Sequence, residues 1–199
     1  MKIRRIESAR IVIRMPGFTL TEMLIVLLLL ALLATMAIPG LARMLERHRL
    51  AGIGNKLLTL VVLARNEALQ RNTRVTLCHT ANPEAPVPAC APAGASWADG
   101  VMVFVDDGTR SPAQPASRAA LLRISGPIEA HYSLLRKGVN SASLSFAASG
   151  RLKSGTIGTS FDISGPSAER EARGGAAGEH RCLVIAITGR ARLTGEACE

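Results

Sequence analysis

The stretch from Phe18 to Ile38 admits few folds. Its only strongly polar residue is Glu22, and a helix of this length spans about 30 Å, the thickness of one bilayer core. One membrane crossing is therefore predicted. Ahead of the run, Lys2, Arg4, Arg5, Arg10 and Arg14 stand against Glu7 alone. Because positive residues stay on the cytoplasmic side, residues 1–17 are expected inside and the bulk of the chain outside the cytoplasm. Pro39-Gly40 closes the run, and Pro39 is expected to kink the helix by removing a backbone donor and crowding the preceding turn.

A secretory signal is cut after its apolar region, whereas here the small-residue junction Gly17-Phe18 precedes it. Gly17, Phe18, Thr19, Leu20 and Glu22 resemble the type IV prepilin signal, GFTLxE. The resemblance implies cleavage after Gly17 by a prepilin peptidase, N-methylation of Phe18, and retention of the apolar helix as both inner-membrane anchor and assembly element. An acid in such a helix costs on the order of 3 kcal/mol unless it is paired or interfacial. The resemblance implies that Glu22 meets the Phe18 amine of a neighbouring subunit during assembly; an acid resting in the headgroup layer is the simpler alternative.

With 199 residues, and 1–17 removed as a leader, the chain has room for one long helix and one domain of about 120 residues. Four segments are expected: a leader at 1–17, a transmembrane assembly helix at 18–39, an amphipathic helix at 40–72 and a periplasmic β-domain at 73–199. The formal charge of +9 overstates how basic the mature chain is, since the leader carries much of it. Outside the leader, residues 40–75 hold seven bases and two acids and residues 110–153 seven bases and one acid. By contrast, residues 76–109 hold four acids and no base. Two regions thus suit anionic partners and one repels them. Aromatic residues are only 3% of the chain, so binding to nucleic acid by base stacking is disfavoured and phosphate contacts remain.

From Leu50 the apolar positions Leu50, Ile53, Leu57, Leu60, Val61, Ala64 and Ala68 recur at spacings of three and four, which predicts an amphipathic helix packed on a domain and ending near Asn72. Short strands follow at 73–79, 101–105, 120–124, 130–135, 143–146 and 159–163, separated by Gly, Pro and Ser turns. Mobile loops are expected at 108–117 and 164–180. The last block, from Cys182 to Cys198, reads as a hairpin turning near Arg190. The fold class is α+β: a long bent N-terminal helix packed on an antiparallel β-sheet or sandwich domain.

Four cysteines allow three connectivities, and outside the cytoplasm disulfides persist. The sequential pairs Cys78–Cys90 and Cys182–Cys198 are preferred, each closing a loop worth roughly 3 kcal/mol in the loop-entropy model. A turn near Arg190 would place Cys182 and Cys198 opposite each other, and it would put Arg190 and Arg192 on one face about 6.6 Å apart if extended geometry begins at the turn.

The order Cys78, Cys90, Trp97-Ala98-Asp99-Gly100 and Val103-Phe104-Val105-Asp106 resembles the GspH/FimT branch of minor pilins and pseudopilins. Gly189-Arg190-Ala191-Arg192 matches the GRxR pattern of its FimT-type, DNA-binding members, in which the motif arginines contact DNA captured by a pilus during natural transformation. Two guanidiniums suit neighbouring phosphates because each is permanently charged and forks onto anionic oxygens. Arg136, Lys137, Arg151 and Lys153 would widen such a track if the fold brings them beside the hairpin. The alternative is that Arg190 and Arg192 are solvated charges paired with Glu196 or Glu179. Other pilins or pseudopilins, the peptidase, the inner membrane and DNA are the partners these features imply. A GspH-type pseudopilin of type II secretion, sharing the same N-terminus, is the alternative function.

Catalysis has little support. Cys78 and His79 are adjacent on a strand and point to opposite faces. His79, His180 and Cys182 lack a metal-ligand spacing, and Asp99, Asp106 and Asp107 read as a turn cluster. No phosphate-cradling glycine loop follows a strand, so neither a cofactor nor a catalytic residue is expected.

Overall fold

The computed structural model describes residues 17–94, 96–137, 142–153, 158–174 and 177–198. The predicted leader, apart from Gly17, lies outside them. The chain divides into two compact units between Ala42 and Arg43. Helix α1, Leu20–Arg71, runs through both.

In the first unit, Gly17, Phe18 and Thr19 precede the helix and Thr19 caps it: its hydroxyl accepts the Glu22 N–H at 3.2 Å. Thr19-x-x-Glu22 is thus the hydroxyl half of a capping box, and it places Glu22 in the first turn, where the helix dipole favours an acid. Every side chain described from Phe18 to Leu41 is exposed, Phe18 by 78% and Leu20 by 80%. Among the described residues no single helix is long and apolar enough to cross a membrane; Leu20–Thr35 and Gly40–Arg71 meet that test together as a bent pair, by length and composition. The break falls on the turn that contains Pro39.

In the second unit, α1 ends where Asn72 adopts a left-handed conformation, φ 50°, and Thr73 N–H reaches back to the Ala68 carbonyl at 3.2 Å. This is the Schellman closure, with asparagine in the position glycine usually takes. The predicted end near Asn72 is the observed one.

Eight strands follow: β1 Val75–His79, β2 Val101–Val105, β3 Leu121–Ser125, β4 Ser133–Lys137, β5 Ser143–Phe146, β6 Thr159–Ser164, β7 His180–Ile185 and β8 Ala191–Thr194. They form two four-stranded sheets, ordered β3-β2-β1-β5 and β4-β6-β7-β8, antiparallel throughout. One core joins them. Leu50, Leu57, Leu60, Val61, Ala64 and Ala68 of α1 meet Leu77, Val103, Leu144 and Phe146 of the first sheet and Phe161, Ile163, Leu183 and Ile185 of the second. Trp97 packs edge-on to Phe161, with ring centroids 4.9 Å apart. The other face of the first sheet buries Cys78, Met102 and Phe104 in a small second cluster. Burial on both faces explains why β2 reads as an unbroken apolar run rather than an alternating one.

The segment 164–180, expected as a mobile loop, contains a short helix, α2, Pro166–Ala172. Pro166 stands in its first turn, where the missing N–H costs nothing, and the Glu46 carboxylate of α1 accepts the Ser167 N–H at 2.8 Å. That tether is a contact over a sequence distance no local pattern reveals.

Candidate nucleic-acid interface

The C-terminal hairpin is built by β7, β8 and a five-residue turn, Ala186–Arg190. The Ala186 N–H donates to the Arg190 carbonyl at 2.9 Å and the Gly189 N–H to the Ala186 carbonyl at 2.8 Å. The turn therefore centres on Thr188, not near Arg190 as the sequence suggested. Register follows: Cys182 opposes Thr194, Val184 opposes Arg192 and Ile185 opposes Ala191. Cys198 still bonds Cys182, Cα–Cα 5.1 Å, because the tail after β8 folds back, with its Cys198 N–H 3.4 Å from Asp162 Oδ1. The Cys78–Cys90 disulfide, Cα–Cα 5.6 Å, clips the proline-rich loop after β1.

Gly189 is required by geometry. Its φ is +80°, and a Cβ there would collide with the Gly150 carbonyl oxygen and sit 3.0 Å from Arg65 Nε. The hairpin tip is thus seated on the turn at 147–152, whose Leu152 N–H donates to the Ile187 carbonyl at 3.0 Å. The motif glycine lets the tip dock, and docking aims the residue beyond it. Both Arg190 and Arg192 are exposed. Extended geometry begins at Ala191, so strand alternation does not set the Arg190 direction. Glu179 is held by Arg47 at 2.7 Å, and among the described residues neither arginine has an ion-pair partner.

The docked turn carries two of the other expected bases. Arg151 and Lys153 flank Leu152, which is buried and bridges to Phe146, so both cations stand outward beside the tip. Arg65 of α1 joins them: its Nε is buried against Gly189 with no hydrogen-bond partner among the described residues. No sequence signal ties Arg65 to the tip, because the two meet only through the fold. Arg136 is placed elsewhere. It lies on the inward face of β4, where its Nε donates to Thr159 Oγ1 at 2.9 Å and Nη1 to the Ser143 carbonyl at 2.8 Å, bridging the second sheet to the first. Burial pulls its pKa below the ordinary arginine value. Lys137, one residue on, faces outward.

The remaining candidates are bound up in the fold. His79 is buried, with Nδ1 3.1 Å from the Ala142 carbonyl, Nε2 2.9 Å from the Pro92 carbonyl and its ring 5.0 Å from Trp97. Asp106 takes Arg74 Nη2 at 2.7 Å, the Thr76 hydroxyl at 2.9 Å and the Gly108 N–H at 2.9 Å. Asp107 takes the Thr109 N–H and hydroxyl, and those two donors, the N–H foremost, hold its carboxyl below the usual range. The acid cluster therefore closes a turn.

The chain matches the family model described as Type II transport protein GspH over residues 54–189. Two crystal forms of the Pseudomonas aeruginosa (strain PAO1) type IV minor pilin FimU are similar in fold. One is 19% identical with a TM-score of 0.53, covering 75% of this chain and 98% of that one. The other is 22% identical with a TM-score of 0.55, covering 77% and 96%. No curated protein sequence matches. The long helix leading into two antiparallel sheets is the pilin fold, and with the family model spanning well over half of its residues the chain belongs to the GspH family of minor pilins and pseudopilins.

Proposed function

We propose that this chain is a minor type IV pilin that is cut after Gly17, held in the inner membrane by residues 18–39 and assembled with other pilins, and that its periplasmic β-domain of residues 73–199 binds DNA through Arg190 and Arg192. The observation that carries the reading is a docked hairpin tip presenting two guanidiniums without ion-pair partners among the described residues, beside Arg151 and Lys153. Permanent, exposed cations on a rigid turn suit phosphate oxygens, and the scarcity of aromatic residues makes the contact independent of base identity. At the other end, Gly17-Phe18 lies before the helix cap, in an exposed non-helical segment that suits a peptidase. The new Phe18 amine would then pair with Glu22 of a neighbouring subunit.

Titrating duplex DNA against the purified full chain at several salt concentrations tests the DNA reading. Each lost phosphate contact flattens the slope of log K against log salt by about 0.9. Arg190→Ala with Arg192→Ala is expected to flatten it by about two such steps; an unchanged slope refutes the assignment.

The matched family description favours a second reading, a GspH-type pseudopilin of type II secretion. In that case loss of the chain stops export of secreted proteins, and the arginine pair is dispensable for it.

A further inference from the structure

The outer face of the second sheet carries a groove that the hairpin motif does not explain. It encloses about 610 Å³ and is lined by β6, β7, β8 and the tail that the Cys182–Cys198 bond folds back. Register defines its floor. Lys137 pairs with Ser160, Ser160 with Val184 and Val184 with Arg192, so these four side chains form one row across all four strands on the face opposite the core. Three strand spacings separate Lys137 from Arg192, about 14 Å between their Cα atoms. A cation thus stands at each end, with a hydroxyl and a small apolar side chain between them. Among the described residues that line the groove, Glu196 of the tail is the acid and none is aromatic.

We propose that this groove holds the sugar-phosphate backbone of a single nucleic-acid strand, with phosphates at Lys137 and Arg192 and the Ser160 hydroxyl donating between them. The proposal rests on the DNA reading above and specifies its ligand. A flexible strand can bend into a concave channel, whereas a duplex is too stiff and wide to enter and meets only the rim at Arg192 and the hairpin tip. With no aromatic lining, the bases have no stacking platform and point outward, so pyrimidine and purine strands bind alike. Glu196 opposes entry of phosphate, and its removal strengthens strand binding.

The test uses the full chain in detergent micelles, with labelled oligodeoxythymidylate of about 12 nucleotides and a hairpin duplex, each titrated over a range of salt. Lys137→Ala is expected to lower the single-strand salt slope by about 0.7 and to move the duplex slope by less than half of that. Glu196→Gln is expected to tighten strand binding several-fold more than duplex binding. Both residues are exposed, so an unchanged melting temperature confirms that the variants fold. If the Arg190/Arg192 variant weakens both DNA forms while Lys137→Ala and Glu196→Gln show no preference for the strand, the groove proposal fails and the hairpin reading stands. If the unaltered chain binds neither form, both fall.

Discussion

Gly189 and Arg136, both candidates for one basic surface, are employed in different ways. At Gly189, φ +80° and the nearby Gly150 carbonyl leave no room for a side chain. Gly189→Ala is expected to cost about 2 kcal/mol from the left-handed backbone alone, more with the collision, and thermal melting will register it. Because the tip then undocks, DNA affinity falls with stability. Arg136 separates the two effects. Replacing it by methionine removes its hydrogen bonds to Thr159 Oγ1 and the Ser143 carbonyl, a loss of about 2 kcal/mol. The DNA salt slope should stay where it was, since this guanidinium faces the interior. Sequence could not make that distinction: Arg136 and Lys137 are adjacent cations, and only the register with Phe161 and Ser160 sends one inward and the other out.

At the scale of elements, the alternation and spacing of apolar residues carried most of the fold. The stripe from Leu50 to Ala68 is the helix face in the core, and β2 and β5 occupy the predicted residues. What escaped was set by contacts distant in sequence. Helix α2 is only seven residues long, and its Ser167 N–H donates to Glu46, more than a hundred residues earlier. The hairpin turn was displaced by two residues because the glycine that ends it sits at the left-handed position after the turn centre, not at the centre itself. The disulfide preference survived for another reason than symmetry: Cys182 opposes Thr194, and the returning tail brings Cys198 in. Exchanging Cys182 and Cys198 for serine is expected to lower stability by roughly 3 kcal/mol in denaturant titration. The same change frees the tail, so single-strand affinity should drop further than duplex affinity.

For the whole molecule, the two ends of the chain divide the labour. In the proposed reading, Gly17-Phe18, the Thr19 cap and Glu22 serve processing and assembly, while the tip at Gly189-Arg190 serves what the assembled subunit touches. Glu22→Ala is expected to leave cleavage after Gly17 intact, as mass spectrometry of the mature chain will read, and to reduce incorporation into filaments. Normal incorporation would remove the proposed pairing with the Phe18 amine. The division itself is open to one direct measurement: retention of labelled DNA by purified filaments containing either the unaltered chain or the chain with Arg190→Ala and Arg192→Ala. Equal amounts of subunit in both filaments, with DNA retention lost only from the variant, is the predicted result. Equal subunit content with DNA retention unchanged would contradict the assignment of DNA binding to the hairpin.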